Sequence, residues 1–108
     1  MEIKDFKKII DTIAESDIEF DEPHVSLRCE ENSFSKEKII KILLYENTKL
    51  VNIIEDRPKV YKLYFKLSER RQLKLIIDML KYGKLMVRTV KIMDRKLYKK
   101  IKTIKKRR

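Results

Sequence analysis

The chain of 108 residues has no tryptophan, one glycine (Gly83), one cysteine (Cys29), one histidine (His24), two prolines and a single glutamine, Gln72. Each scarcity removes a class of chemistry. One cysteine excludes a disulfide framework within the chain and fits a reducing compartment, so a cytoplasmic location is expected. One histidine and one cysteine fall short of the roughly four ligands of a structural zinc site, so neither metal nor cofactor is expected. With Gly83 as sole glycine there is no glycine-rich phosphate loop, and no nucleophile elbow marks a Ser-His-Asp hydrolase. No apolar run approaches the roughly 20 residues of a membrane span. Met1 to Ile10 is charged throughout and lacks the apolar stretch of a signal peptide, so no membrane partner is expected.

What the chain has is charge. Charged residues make up 42 % and apolar residues 43 %. The first figure is far above the roughly 25 % of an average domain, and the second is enough for one modest core. Abundant Lys, Glu and Ile with scarce Gln is the bias of hyperthermophile proteins, where ion pairs lose less on desolvation. The charge is also unevenly placed. Residues 1–48 hold 7 basic and 12 acidic side chains, residues 49–83 hold 9 and 4, and residues 84–108 hold 12 and 1. The last segment therefore carries an excess equal to the whole net charge of +11. Such a block repels itself unless solvent or a polyanion compensates it. Nucleic acid is the expected partner, RNA in preference to DNA, with a solvated basic tail as the plain alternative.

The length gives one domain, residues 1–108. Ile3, Phe6, Ile9, Ile10 and Ile13 recur at helical spacing and predict an amphipathic helix over 2–15. Asp17 to Phe20 alternates as a short strand would. Pro23 suits the first turn of a second helix holding His24, Val25, Leu27 and Arg28 and ending near Asn32. Ser35 reads as the cap of a third helix, with Phe34 ahead of it and Ile39, Ile40, Ile42, Leu43 and Leu44 on a broad apolar face. From residue 49 the period changes to two. Lys49–Glu55, Val60–Leu67, Leu73–Leu80 and Leu85–Met93 read as four strands separated by turn sequences. Leu73, Ile76, Ile77 and Leu80 also fit a helix with Ser68 as cap and Gly83 as stop; the neighbouring strands favour a strand. Asp94 would cap a basic C-terminal helix running through Leu97, Ile101 and Ile104. The expected fold is α+β: N-terminal helices packed on a four-stranded antiparallel meander, followed by that helix.

Alternation along the second strand places Lys62, Tyr64 and Lys66 opposite the apolar Tyr61, Leu63, Phe65 and Leu67. With Lys74 and Arg88 on the next strands they would make a cationic surface with a tyrosine in it, suited to phosphates and a stacked base. Lysines that merely keep a sheet soluble are the alternative. Arg95, Lys99, Lys100, Arg107 and Arg108 extend the basic end. His24 and Arg28, four residues apart, share a helical face. They make either an active pair or a packing histidine beside a proline. Cys29 reads as a small buried hydrophobe rather than a nucleophile.

Four short segments suggest a family. Ile18-Glu-Phe20, then Pro23-His24-Val25-Ser26-Leu27-Arg28, then Phe34-Ser-Lys-Glu-Lys-Ile-Ile40, and late in the chain Val87-Arg88-Thr89-Val90, resemble small RelE-like domains of the RelE/ParE toxin superfamily. Glu31-Asn-Ser33 stands where that family often has an Arg-Gly pair. The resemblance covers residues 17–95 and makes 1–16 an added helix, 17–93 a RelE-like core and 94–108 a basic helix or tail. It implies the barnase-like ribonuclease fold and metal-independent RNA cleavage. His24 or Tyr64 would act as acid or base, and Arg28, Lys62, Lys74 and Arg88 would hold the phosphate. It also implies an acidic antitoxin-like protein partner. A non-catalytic nucleic-acid-binding protein and a protein-interaction module remain the alternatives.

Overall fold

In a computed structural model, which describes residues 1–94, the first half of the chain is mostly helical. α1 (Ile3–Ile10) buries Phe6 and Ile10. It is shorter than the predicted 2–15. A single 3-10 turn, Glu15–Asp17, follows, in which an Asp17 carboxylate oxygen accepts from Ala14 N at 2.9 Å. Ile13 is buried all the same, so the apolar spacing continues past the last regular turn. β1 (Ile18–Phe20) leads to α2 (His24–Glu31), which buries Val25 and Cys29. α3 (Lys36–Tyr45) begins where the sequence indicates. Ser35 Oγ accepts from Lys38 N at 3.2 Å, and Ile39, Ile42 and Leu43 are buried.

β2 (Leu50–Arg57), β3 (Val60–Lys66), β4 (Arg71–Met79) and β5 (Leu85–Asp94) form the expected meander, each antiparallel to the next. Residues 71–79 are strand, not helix. The period of two puts Leu73, Leu75 and Ile77 into the core at 0 % exposure and turns Gln72, Lys74 and Asp78 to the other face. β3 and β5 then supply hydrogen bonds along both edges of β4.

Two expectations are corrected. The sheet has five strands in the order β1-β5-β4-β3-β2, and it is mixed, because β1 runs parallel to β5. A strand of three residues carries too little pattern to indicate a partner so far along the chain. Asp94, expected to cap a C-terminal helix, is instead the last residue of β5. The rest of that expected helix lies outside the described residues.

β1 covers only Leu85–Val87 of β5. Past it, Asp21 N donates to the Val87 carbonyl at 3.0 Å, and the Asn32 side-chain oxygen accepts the Ile92 N–H at 3.1 Å. α2 thus continues the cover of this edge where β1 ends. At the opposite edge, β2 holds Val51 and Ile54 exposed. Its register shifts at both ends, and Glu55, Asp56 and Arg57 close it. Irregularities and charges of this kind blunt a free strand edge.

All three helices pack on one face of the sheet. Phe6, Ile10, Val25, Ile39 and Leu43 join Leu63, Phe65, Leu73, Leu75, Ile77 and Val87 in a single core. Lys62, Tyr64, Lys66, Gln72, Lys74 and Ile76 take no part in it. Their face of the sheet has no helix over it among the described residues. None of the described helices is long and apolar enough to cross a membrane.

This register makes a direct prediction. Leu75→Ala should lower stability by about 2–5 kcal/mol through lost burial and a residual cavity, whereas Lys74→Ala should change it by no more than about 0.5 kcal/mol. Urea unfolding of the two variants checks this, and equal midpoints would contradict the register.

Candidate nucleic-acid interface

The register of the meander lines up residues from four strands on the uncovered face. Asn52 is opposite Tyr64, Tyr64 opposite Lys74, and Lys74 opposite Lys91. The adjoining row runs Ile54, Lys62, Ile76, Thr89. Directly opposed side chains on one face lie about 5 Å apart. Lys66, Lys74 and Lys91 have no ion-pair partner among the described residues. Lys62 differs, since its ammonium lies 3.5 Å from an Asp56 carboxylate oxygen.

The face continues round the β5 edge into an open groove of about 410 Å³, lined by Arg28, Glu31, Asn32, Thr89, Lys91 and neighbouring apolar residues. α2 brings its His24–Arg28 pair here. His24 Nε2 lies 3.1 Å from Thr89 Oγ1, a hydrogen bond whose direction depends on the imidazole tautomer. Arg28 Nη1 is 3.1 Å from Glu31 Oε2, both side chains being about half exposed. Such a surface pair is weak and can be exchanged for a stronger anion.

Arg88 sits elsewhere in the electrostatics. Between the pairs Ile76–Thr89 and Ile77–Val87 the register shifts, leaving Arg88 without a directly opposed residue on β4. Its guanidinium donates to Asp78 at 2.8 Å and lies 3.6 Å from Asp21. The Asp78 hydrogen bond above all, with the charges of Asp78 and Asp21, raises the Arg88 pKa further above its ordinary value. The residue joins the β4–β5 hairpin to the segment between β1 and α2, and its charge is already balanced.

The expected catalytic set is therefore only partly gathered. His24 and Arg28 meet the β5 edge, while Tyr64 stands on β3, two strand spacings or about 10 Å from β5. Of the expected phosphate ligands, Lys74 is available, as is Lys66 beside it on the expected binding face, whereas Arg28, Lys62 and Arg88 have carboxylate partners. Arg95, Lys99, Lys100, Arg107 and Arg108 lie outside the described residues. Cys29 is buried at 7 % exposure, and desolvation pushes its thiol pKa up, away from the thiolate that a nucleophile needs. The residue that sequence reasoning missed is Lys91. Strict alternation from Leu85 and Val87 would put it on the covered face; the register shift at Arg88 turns it outward, opposite Lys74.

Arg88→Ala should lower stability by about 1 kcal/mol, the modest value of a solvent-screened pair, and thermal unfolding is the measurement. A variant that melts with the parent would show that the contacts to Asp78 and Asp21 hold nothing together. No protein-family model matches this chain, no curated protein is similar to it, and no solved structure matches it.

Proposed function

We propose that this protein binds RNA on the uncovered sheet face and the groove at its β5 edge, and that the basic segment 95–108 adds affinity without choosing sequence. The observation that carries the reading is Lys74 directly opposite Lys91, neither with a carboxylate partner among the described residues. Like charges in opposed positions destabilise a sheet, and a phosphate between them removes that repulsion. Tyr64, next in the row, offers an aromatic ring to a base. An uncovered sheet face with a tyrosine among lysines suits an unpaired strand, whose bases can be splayed and stacked. Reading a duplex calls for an element inserted in a groove.

A second reading, RNA cleavage by attack of the 2′-hydroxyl as the RelE/ParE likeness implies, has one observation in its favour. His24, an exposed imidazole, stands at the edge of a groove that also holds Arg28 and Lys91. Against it, Tyr64 is too far away to pair with His24 in proton transfer, and Arg88 is occupied. In this reading an acidic antitoxin-like protein would cover the same cationic face. Geometry supports binding ahead of cleavage.

The test is the affinity for a short unpaired RNA across a salt series. Each lost phosphate contact on a single strand lowers the slope of log K against log salt by about 0.7. Replacing Lys74 and Lys91, which share one phosphate, by Gln should therefore remove about 0.7 units, and neutralising Arg95, Lys99, Lys100, Arg107 and Arg108 should remove more. Absence of binding at low salt would defeat the proposal. RNA cut by the parent and left whole by His24→Ala would establish the second reading.

A further inference from the structure

The connection between β4 and β5 carries an aromatic side chain that the fold does not use. Tyr82 is 95 % exposed. Its backbone lies at φ 63, ψ 32, in the left-handed region, and Gly83 follows at φ 70. Two successive positive φ values are the demand of a tight hairpin turn, which Asn-Gly meets with least strain. A tyrosine in the first position is strained and recovers nothing by packing.

Its surroundings are cationic. Lys81 and Lys84 flank it in the same turn, all of them exposed. The β2–β3 turn lies alongside, because Met79 N donates to the Lys59 carbonyl at 2.8 Å. That turn is exposed as well and presents Arg57 and Lys59, the latter also left-handed at φ 69. Of the nearby carboxylates, Asp56 pairs with Lys62 and Asp78 with Arg88, while Glu19 lies 3.9 Å from Lys84 of the turn itself. Arg57, Lys59 and Lys81 have no ion-pair partner among the described residues.

We propose that Tyr82 is a stacking contact for an unpaired RNA base, with Lys81 and Lys59 holding the phosphates on either side. The inference rests on the RNA-binding reading and gives it a second contact point, at the end of the sheet, that selects single strands. A ring with both faces open stacks on any base, because every base presents a π-face, while the neighbouring ammonium groups engage the backbone. A duplex keeps its bases stacked on one another and offers Tyr82 none.

The test uses full-length protein with Tyr82→Asn and Tyr82→Phe, a short unpaired RNA, and the duplex of the same length, read by fluorescence anisotropy. Tyr82→Asn should weaken binding of the unpaired RNA about tenfold or more, while Tyr82→Phe stays within about twofold of the parent. Duplex binding should not change in either variant. Because asparagine accepts the left-handed conformation more readily, Tyr82→Asn should melt at or above the parent temperature, which separates lost contact from lost fold. Unpaired RNA bound equally by parent and Tyr82→Asn would overturn the inference and leave the sheet-face reading standing. So would a loss shared equally by the duplex. A parent that binds neither RNA would overturn the RNA-binding reading itself.

Discussion

Strand β5 needs hydrogen-bonding partners along both edges, and the way that need is met organises the first half of the molecule. β4 serves one edge over its whole length. On the other, β1 reaches only Val87, and Asp21 and the Asn32 side chain take over beyond it. An unpaired backbone group buried away from water costs as much as a lost hydrogen bond, so α2 is drawn against β5 where β1 stops. That placement sets His24 beside Thr89 and Arg28 in the groove. It also brings Asp21 to Arg88, which draws the segment between β1 and α2 toward the β4–β5 hairpin.

Packing all three helices on one side leaves the sheet with two different faces. The covered face is apolar and closed. The other is built of lysines, a tyrosine and a few aliphatic side chains such as Ile54 and Ile76, which shield the backbone without forming a second core. Nothing in the folding of the chain requires cations to face each other there. Glutamine or threonine at Lys74 and Lys91 would serve the sheet as well, without the repulsion.

Much of the architecture was legible in the residues. Ser35 announces α3 because a hydroxyl before an apolar helical pattern has one strong use. The meander is plain because β3 alternates without error and turn residues punctuate its neighbours. β4 was ambiguous because Leu73, Ile76, Ile77 and Leu80 satisfy the helical period too; Leu75 resolves it, buried only in a strand. The partner of β1 was not legible, since three residues fix no register and the pairing is non-local. The same holds for the site. Lys62, Lys66, Tyr64 and Lys74 follow from local alternation. The pairing of Lys74 with Lys91 and the capture of Arg88 depend on the register shift between Ile76 and Ile77, which no local pattern marks. Tyr82 carries no sequence signal beyond its place before Gly83; its exposure and left-handed backbone come only from the fold.

The two-faced construction also has an electrical consequence. The helical half, residues 1–48, carries 7 basic against 12 acidic side chains, and residues 49–83, most of the sheet, carry 9 against 4. The described fold is thus close to neutral as a whole, yet strongly polarised from its helical side to its sheet side. A polyanion would exert a torque on such a dipole before any contact forms, turning the lysine face forward and the acidic helices away. Orientation and attraction are then separate properties of the molecule: the distribution of charge within the fold sets which way it would face a polyanion, and the surplus beyond residue 94 sets how strongly it would be pulled.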